Sequence, residues 1–94
     1  MPEIVDLNVL PKFQQQGIGS RLMDEVEETI KQEHNFVGIG VGLAPGYNAA
    51  QRMYVLRGYV PDGLGIRYNN NDVSFGQKII VDDNLELYLI KKLN

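Results

Sequence analysis

The chain has 94 residues, 44% of them hydrophobic and 22% charged, which fits one small soluble globular domain built around a single core. It has no cysteine and one histidine, His34, so it offers neither a disulfide framework nor the ligands of a thiolate or zinc site. Twelve acidic residues against nine basic ones give a net charge of -3, and the basic residues are scattered from Lys12 to Lys92 without forming a stripe, a distribution that points away from nucleic acid.

No apolar run approaches the roughly 18 to 20 residues of a membrane span, and the opening stretch MPEIVDLNVL has neither the positive flank nor the cleavage site of a signal peptide. The expectation is a soluble, unprocessed, cytoplasmic protein.

In chain order, residues 3–10 (EIVDLNVL) alternate with period two and predict a half-buried strand that Pro11 ends. From Gly17 to about His34 the apolar positions Ile18, Leu22, Val26 and Ile30 recur at every fourth residue, with Met23 widening the stripe, and predict an amphipathic helix. Its outer face carries Asp24, Glu25, Glu27, Glu28 and Lys31, with Glu27 and Lys31 spaced for a surface pair. The run 36–43 (FVGIGVGL) is too short and too rich in glycine and β-branched residues for a helix and predicts a buried strand, making a strand-helix-strand crossover with parallel strands.

A second helix follows over about 48–57, with Ala49, Ala50, Met53, Tyr54 and Leu56 on or near its buried face and Gly58 as a left-handed C-terminal cap. Two strands close the chain at about 64–69 and 85–92, separated by Asn69, Asn70, Asn71, Asp72 and a long polar connection. Gly38, Gly40 and Gly42 fall on one face of the second strand and leave it bare, which predicts a close approach there, most simply by a tightly packed helix.

The chemistry is concentrated in Gln14, Gln15, Gln16, Gly17, Ile18, Gly19, Ser20 and Arg21, between a strand and an amphipathic helix. A helix start presents unpaired N–H groups and a partial positive charge, which together attract an anion. Glycines at 17 and 19 remove side chains where a phosphate must come close to the backbone, and Arg21 can add a charge-assisted contact. The chain contains no Gly-Lys-Ser/Thr triplet, so the Walker pattern is excluded, and Leu22 stands where the dinucleotide fingerprint needs its third glycine.

The pattern Gln or Arg, two residues, Gly, one residue, Gly or Ala is satisfied by Gln14, Gly17 and Gly19 and resembles the signature of the GNAT superfamily of N-acetyltransferases. The stretch LeuAsnValLeuPro at 7–11 is similar to that family's fourth strand and its exit, and Tyr54 to Tyr59 (YVLRGY) resembles its late helix ending in a Gly-aromatic pair. The resemblance implies an α/β (α+β) truncated GNAT-like fold, a mixed sheet of about four strands with two helices, as a single partial domain over residues 1–94.

It also implies acetyl-CoA as cosubstrate, with the backbone of Leu7, Asn8 and Val9 facing the acetyl and pantetheine arm and the N–H groups from Gln15 to Ser20 taking the pyrophosphate. Tyr54 resembles the tyrosine that protonates the departing thiolate. The family carries an Asn seven positions before that tyrosine; position 47 here is Tyr, and its neighbour Asn48 stands either for the pantetheine contact or for the helix N-cap. For the general base, Glu3 stands fourteen residues before Gly17, where the histone-modifying branch carries a catalytic Glu, with Asp6, His34 and an ordered water as further candidates.

The activity so implied is acetyl transfer to an amine of a small molecule or peptide. The alternative is a CoA-binding or interaction module without catalysis. A complete domain of the family has a further N-terminal block ahead of the segment matching residues 3–10, and the amine-binding wall comes from that block. Its absence from the sequence leaves the edge of strand 3–10 uncovered, and the expected consequence is a homodimer.

Overall fold

The computed structural model describes residues 2–4 and 18–94. The described residues form a mixed sheet of five strands with two helices, an α+β arrangement. The elements in order are β1 (Glu3–Ile4), α1 (Ile18–Lys31), β2 (Phe36–Gly42), a 3-10 turn (Pro45–Tyr47), α2 (Asn48–Leu56), β3 (Val60–Tyr68), β4 (Asn71–Asp72) and β5 (Leu85–Lys92).

The sheet order is β1-β2-β5-β3-β4. β1 runs parallel to β2, with Glu3 against Gly38 and Ile4 against Ile39, as the strand-helix-strand pattern predicts. The other pairings are antiparallel. The rest of the strand expected over 3–10 lies outside the described residues.

The last strand in sequence is the middle strand in space. β5 pairs with β2 along its whole length and with β3 on its other side, with a register shift between Pro61 and Ile66. Its alternation suits that place: Leu85 and Leu89 are buried on the helix side, while Glu86, Tyr88 and Ile90 point to the opposite face. The third strand begins at Val60, earlier than expected, and the asparagine run holds a hairpin. Asn69 and Asn70 both adopt positive φ (52° and 65°) and join β3 to β4, the conformation a two-residue hairpin turn needs.

The core gathers Ile4, Met23, Val37, Ile39, Val41, Ala50, Tyr54, Tyr59 and Leu89, with Val26, Ile30 and Met53 packed against it. Tyr59, Met23, Ile39 and Val37 are its fully buried large side chains, each contributing about 1.5–3 kcal/mol by leaving water. α1 therefore meets the sheet through Met23, Val26 and Ile30.

Leu22, expected on the buried stripe, remains 39% exposed, and Glu27, expected on the outer face in a pair with Lys31, is buried at 8% exposure. The helix is rotated relative to the strict fourth-residue stripe because partners for Glu27 wait inside, as described below. In α2, Ala50 and Tyr54 are buried, whereas Ala49 and Leu56 face outward.

α2 ends as predicted. Gly58 has φ of 99°, its N–H donates to Val55 O (3.0 Å), and the Tyr59 N–H donates to Tyr54 O (3.0 Å), satisfying the last carbonyls in a Schellman turn. The bare face of β2 is filled differently from the expectation of a packed helix. A Cβ at Gly42 would stand 2.5 Å from the Tyr47 ring, and one at Gly40 would stand 2.6 Å from Glu86 Oε2 and 3.1 Å from the Tyr88 ring. Single side chains from the 3-10 turn and β5 make the close approach, while both helices pack on the opposite face.

Candidate cofactor cleft

Ser20 and Asp24 of α1 face Ala49, Arg52 and Met53 of α2 across an open cleft of about 730 Å³, whose far end is closed by Glu27, Arg57 and Lys91. This volume lies within the range of small-molecule sites, roughly 300–1,000 Å³. The end at Glu27, Arg57 and Lys91 is polar for a definite reason. Glu27 accepts hydrogen bonds from Lys91 Nζ (2.7 Å), Arg57 Nη2 (3.0 Å), Arg57 Nε (3.3 Å) and the Tyr59 hydroxyl (2.8 Å). Burial pushes this carboxyl up, but the hydrogen bonds from Arg57, Lys91 and Tyr59 outweigh it and hold the group below the ordinary carboxylate range. Burial and the bond to Glu27 push the Tyr59 phenol far up.

Of the cations around the cleft, Arg57 and Lys91 are thus committed to protein carboxylates, and Lys91 also lies 5.5 Å from the Tyr59 ring centroid. Arg52 is exposed and makes no ion pair among the described residues. Among the cations lining the cleft it is the one without a carboxylate partner among the described residues.

The opposite face of the sheet carries a second constellation. Glu3, paired with Gly38, belongs to this face because its neighbour Ile4 enters the core. Burial and the charge of Glu3 push the Glu86 carboxyl up. Tyr47 lies on Gly42 and donates its hydroxyl to Asp83 (3.2 Å), while the Gln51 side chain donates to Gly42 O (2.8 Å), so the end of β2 is pinned from both sides.

Of the residues singled out from the sequence, Asp6, Leu7, Asn8, Val9, Gln14, Gln15, Gln16 and Gly17 lie outside the described residues. Ile18 and Gly19 are the first two residues of α1, and Ser20 lines the cleft. Arg21 and His34 are exposed. Asn48 is not the N-cap: that position belongs to Tyr47, which makes no side-chain capping bond, and Asn48 is the first helical residue and exposed.

Tyr54 is buried in the core on the helix side, its ring centroid 5.9 Å from that of Tyr59. Tyr54 and Glu3, the acid and base candidates, are therefore on opposite faces of the sheet. Among the described residues no group of three His, Cys, Asp or Glu side chains could hold a metal, and no helix is long and apolar enough to cross a membrane.

All of the cleft lining except Lys91 lies in a stretch that matches a known family. The Acetyltransferase (GNAT) family matches residues 1–59, from before β1 to the end of the α2 cap. The chain belongs to the GNAT acetyltransferase family. Curated proteins yield no match.

The matched segment of this GNAT chain contains β1, α1, β2 and α2, the elements whose order carries the helix start and its facing helix. β3, β4 and β5 lie beyond it, and β5 supplies Lys91, Glu86 and Tyr88. An acetyltransferase-type function follows from family membership in general terms.

Reading the sequence alone missed Glu27, Arg52, Arg57 and Lys91. One signal was present: Glu27 sits at i+4 from Met23 and three before Ile30, within the stripe that faces inward. An acid at such a position requires buried cations, and only the fold identifies them.

Proposed function

We propose that this GNAT chain transfers the acetyl group of acetyl-CoA to the amine of a small molecule or peptide. The observation that carries the reading is the cleft at the first turn of α1, open to solvent, facing α2, and supplied with the uncommitted Arg52. A diphosphate at the helix start would meet free N–H groups and the helix dipole, and Arg52 would add a charge-assisted contact. Leu7, Asn8 and Val9 would hold the acetyl and pantetheine arm through their backbone.

In the reaction the amine nitrogen attacks the thioester carbonyl, the C–N bond forms, the C–S bond breaks, and the thiolate takes a proton. Tyr54 is the proposed donor. Burial pushes its phenol pKa up, so the group is protonated at neutral pH and able to donate. The proton leaving the amine passes to an ordered water, since Glu3 lies on the face of the sheet opposite Tyr54. A cytoplasmic setting, where acetyl-CoA is made and used, belongs to the same reading.

Calorimetry with acetyl-CoA and CoA, followed by turnover against an amine panel, tests the proposal. Binding with turnover supports it, binding without turnover leaves a CoA-binding module, and no binding removes it. If turnover is found, Tyr54→Phe is expected to lower kcat by roughly 10² to 10³ with little change in acetyl-CoA affinity, the scale of a lost general acid. Full kcat in that variant would reduce Tyr54 to a packing residue.

The assembly that goes with this function is a homodimer. β1 is an edge strand of the described sheet, and exposed edges pair readily. Sedimentation velocity over a dilution series is expected to show a dimer at micromolar concentration, and a monomer throughout would overturn it.

A further inference from the structure

We propose that Arg57 is a positioning residue for the cofactor turn: without touching the cofactor, it holds Ser20 and thereby the first turn of α1 in the arrangement that receives a diphosphate. The inference rests on the reading above, that this turn is the diphosphate site.

A guanidinium has five N–H donors and no acceptor. In Arg57 every one of the five is committed. Nε donates to Glu27 Oε2 (3.3 Å). Nη1 donates to the Ser20 carbonyl (3.2 Å) and to Ser20 Oγ (2.9 Å). Nη2 donates to Asp24 Oδ1 (2.6 Å) and to Glu27 Oε1 (3.0 Å). The side chain is 13% exposed, so its bonds to Glu27 and Ser20 are made with little competition from water, while its partner Asp24 is 68% exposed. Arg57 lines the cleft but has no donor left for a ligand, unlike Arg52.

Its placement is determined at both ends. The backbone is fixed by the α2 cap, where the Arg57 N–H donates to Met53 O and Tyr54 O, and Gly58 turns the chain away. The head is fixed by Asp24 and Glu27, one and two turns along α1 from Ser20, so a single planar group reads the stripe Ser20, Asp24, Glu27. A planar fork can do this; a lysine ammonium, with three donors at one point, cannot span the three positions.

The consequence for Ser20 is chemical as well as geometric. Its oxygen accepts a bond from a cationic donor, which leaves the hydroxyl's one hydrogen to be donated and polarises it. A hydroxyl held in that sense at a helix start favours an anion. The carbonyl of Ser20 is held by the same nitrogen, so the turn is fixed through both main chain and side chain. Glu27 has a further cation in Lys91, which does not reach Ser20. Loss of Lys91 and loss of Arg57 should therefore differ in what they do to the ligand.

Acetyl-CoA affinity is measured by calorimetry for the unmodified protein and for Arg57→Gln, Arg57→Lys, Ser20→Ala, the Arg57→Gln/Ser20→Ala double variant and Lys91→Met, each below its own unfolding midpoint. Arg57→Gln is expected to raise Kd about tenfold, Arg57→Lys to restore only part of that loss, and Ser20→Ala to raise Kd by about threefold to tenfold. The double variant is expected to be no worse than Arg57→Gln, because the two residues act as one unit. Lys91→Met, which loses a bond to Glu27 but none to Ser20, is expected to lower the unfolding midpoint and to raise Kd clearly less than Arg57→Gln does, a separation that a purely structural role for Arg57 does not produce.

Unchanged Kd in folded Arg57→Gln, strict additivity in the double variant, or a Lys91→Met loss as large as that of Arg57→Gln each overturns the inference. Should Arg57→Gln not fold, Arg57→Lys and Ser20→Ala decide it: unchanged Kd in both overturns it, and a rise in both supports it. If the unmodified protein does not bind acetyl-CoA, the functional reading itself fails, and this inference with it.

Discussion

Replacing Glu27 with alanine is expected to destabilise the fold by about 3 kcal/mol, the cost of leaving two half-buried cations and a buried phenol without their shared acceptor, Arg57 keeping only the exposed Asp24 as a carboxylate partner. Arg57 and Lys91 converge on this carboxylate with side-chain exposures of 13% and 22%, and Tyr59, 1% exposed, also donates to it. Alanine removes the acceptor of all three and leaves a cavity beside Met23. Small domains hold about 5–15 kcal/mol in total, so the variant should be largely unfolded or sharply shifted in a urea titration. Glu27→Gln, which keeps the shape and one acceptor, should lose less. A urea midpoint within error of the unmodified protein for Glu27→Ala would show that the network contributes no stability.

The same carboxylate sets an acid limit. Its folded pKa lies below the ordinary carboxylate range, so its stabilisation is complete above the unfolded value and is lost as pH falls through the lowered folded pKa. The unmodified protein should therefore lose stability on acidification below about pH 4.5 more steeply than Glu27→Gln, which has no proton to take up.

Replacing Gly19 with valine is the second large expected effect, this time on binding alone. Gly19 is the second residue of α1, and on the proposed function a phosphate approaches the N–H groups there at hydrogen-bond distance, about 2.9 Å. A β-branched side chain there occupies the space the phosphate needs. Acetyl-CoA affinity should fall by about 100-fold or more, equivalent to about 2.7 kcal/mol. The helix itself should not suffer, because valine has a higher helix propensity than glycine. Calorimetry checks the affinity and circular dichroism checks the fold. Unchanged binding by a folded Gly19→Val protein would remove this turn from the site and leave the cleft without its assigned ligand.

Local pattern carried far in this chain. The stripe Ile18, Leu22, Val26, Ile30, widened by Met23, marked α1, the apolar run at 36–43 marked β2, and LeuGluLeuTyrLeuIleLysLys marked β5, because each encodes a period that backbone geometry reads directly. Gly58 announced its own positive φ. Gln14, Gly17 and Gly19 announced the family, and the match over residues 1–59 agrees with that reading. The Asn69–Asn70 hairpin was legible in principle, since asparagine tolerates the left-handed region, but the run read as loop polarity.

Only the tertiary structure decided which residues sixty positions apart share a charge. Glu27 and Lys91 are separated by 64 residues and Glu27 and Arg57 by 30, and no local period links them. They meet because β5 inserts between β2 and β3, and because the α2 cap aims Arg57 back at α1. The rotation of α1 that buries Glu27 and exposes Leu22 has the same origin: a carboxylate can enter the interior only where cations and a phenol are already waiting to replace its water.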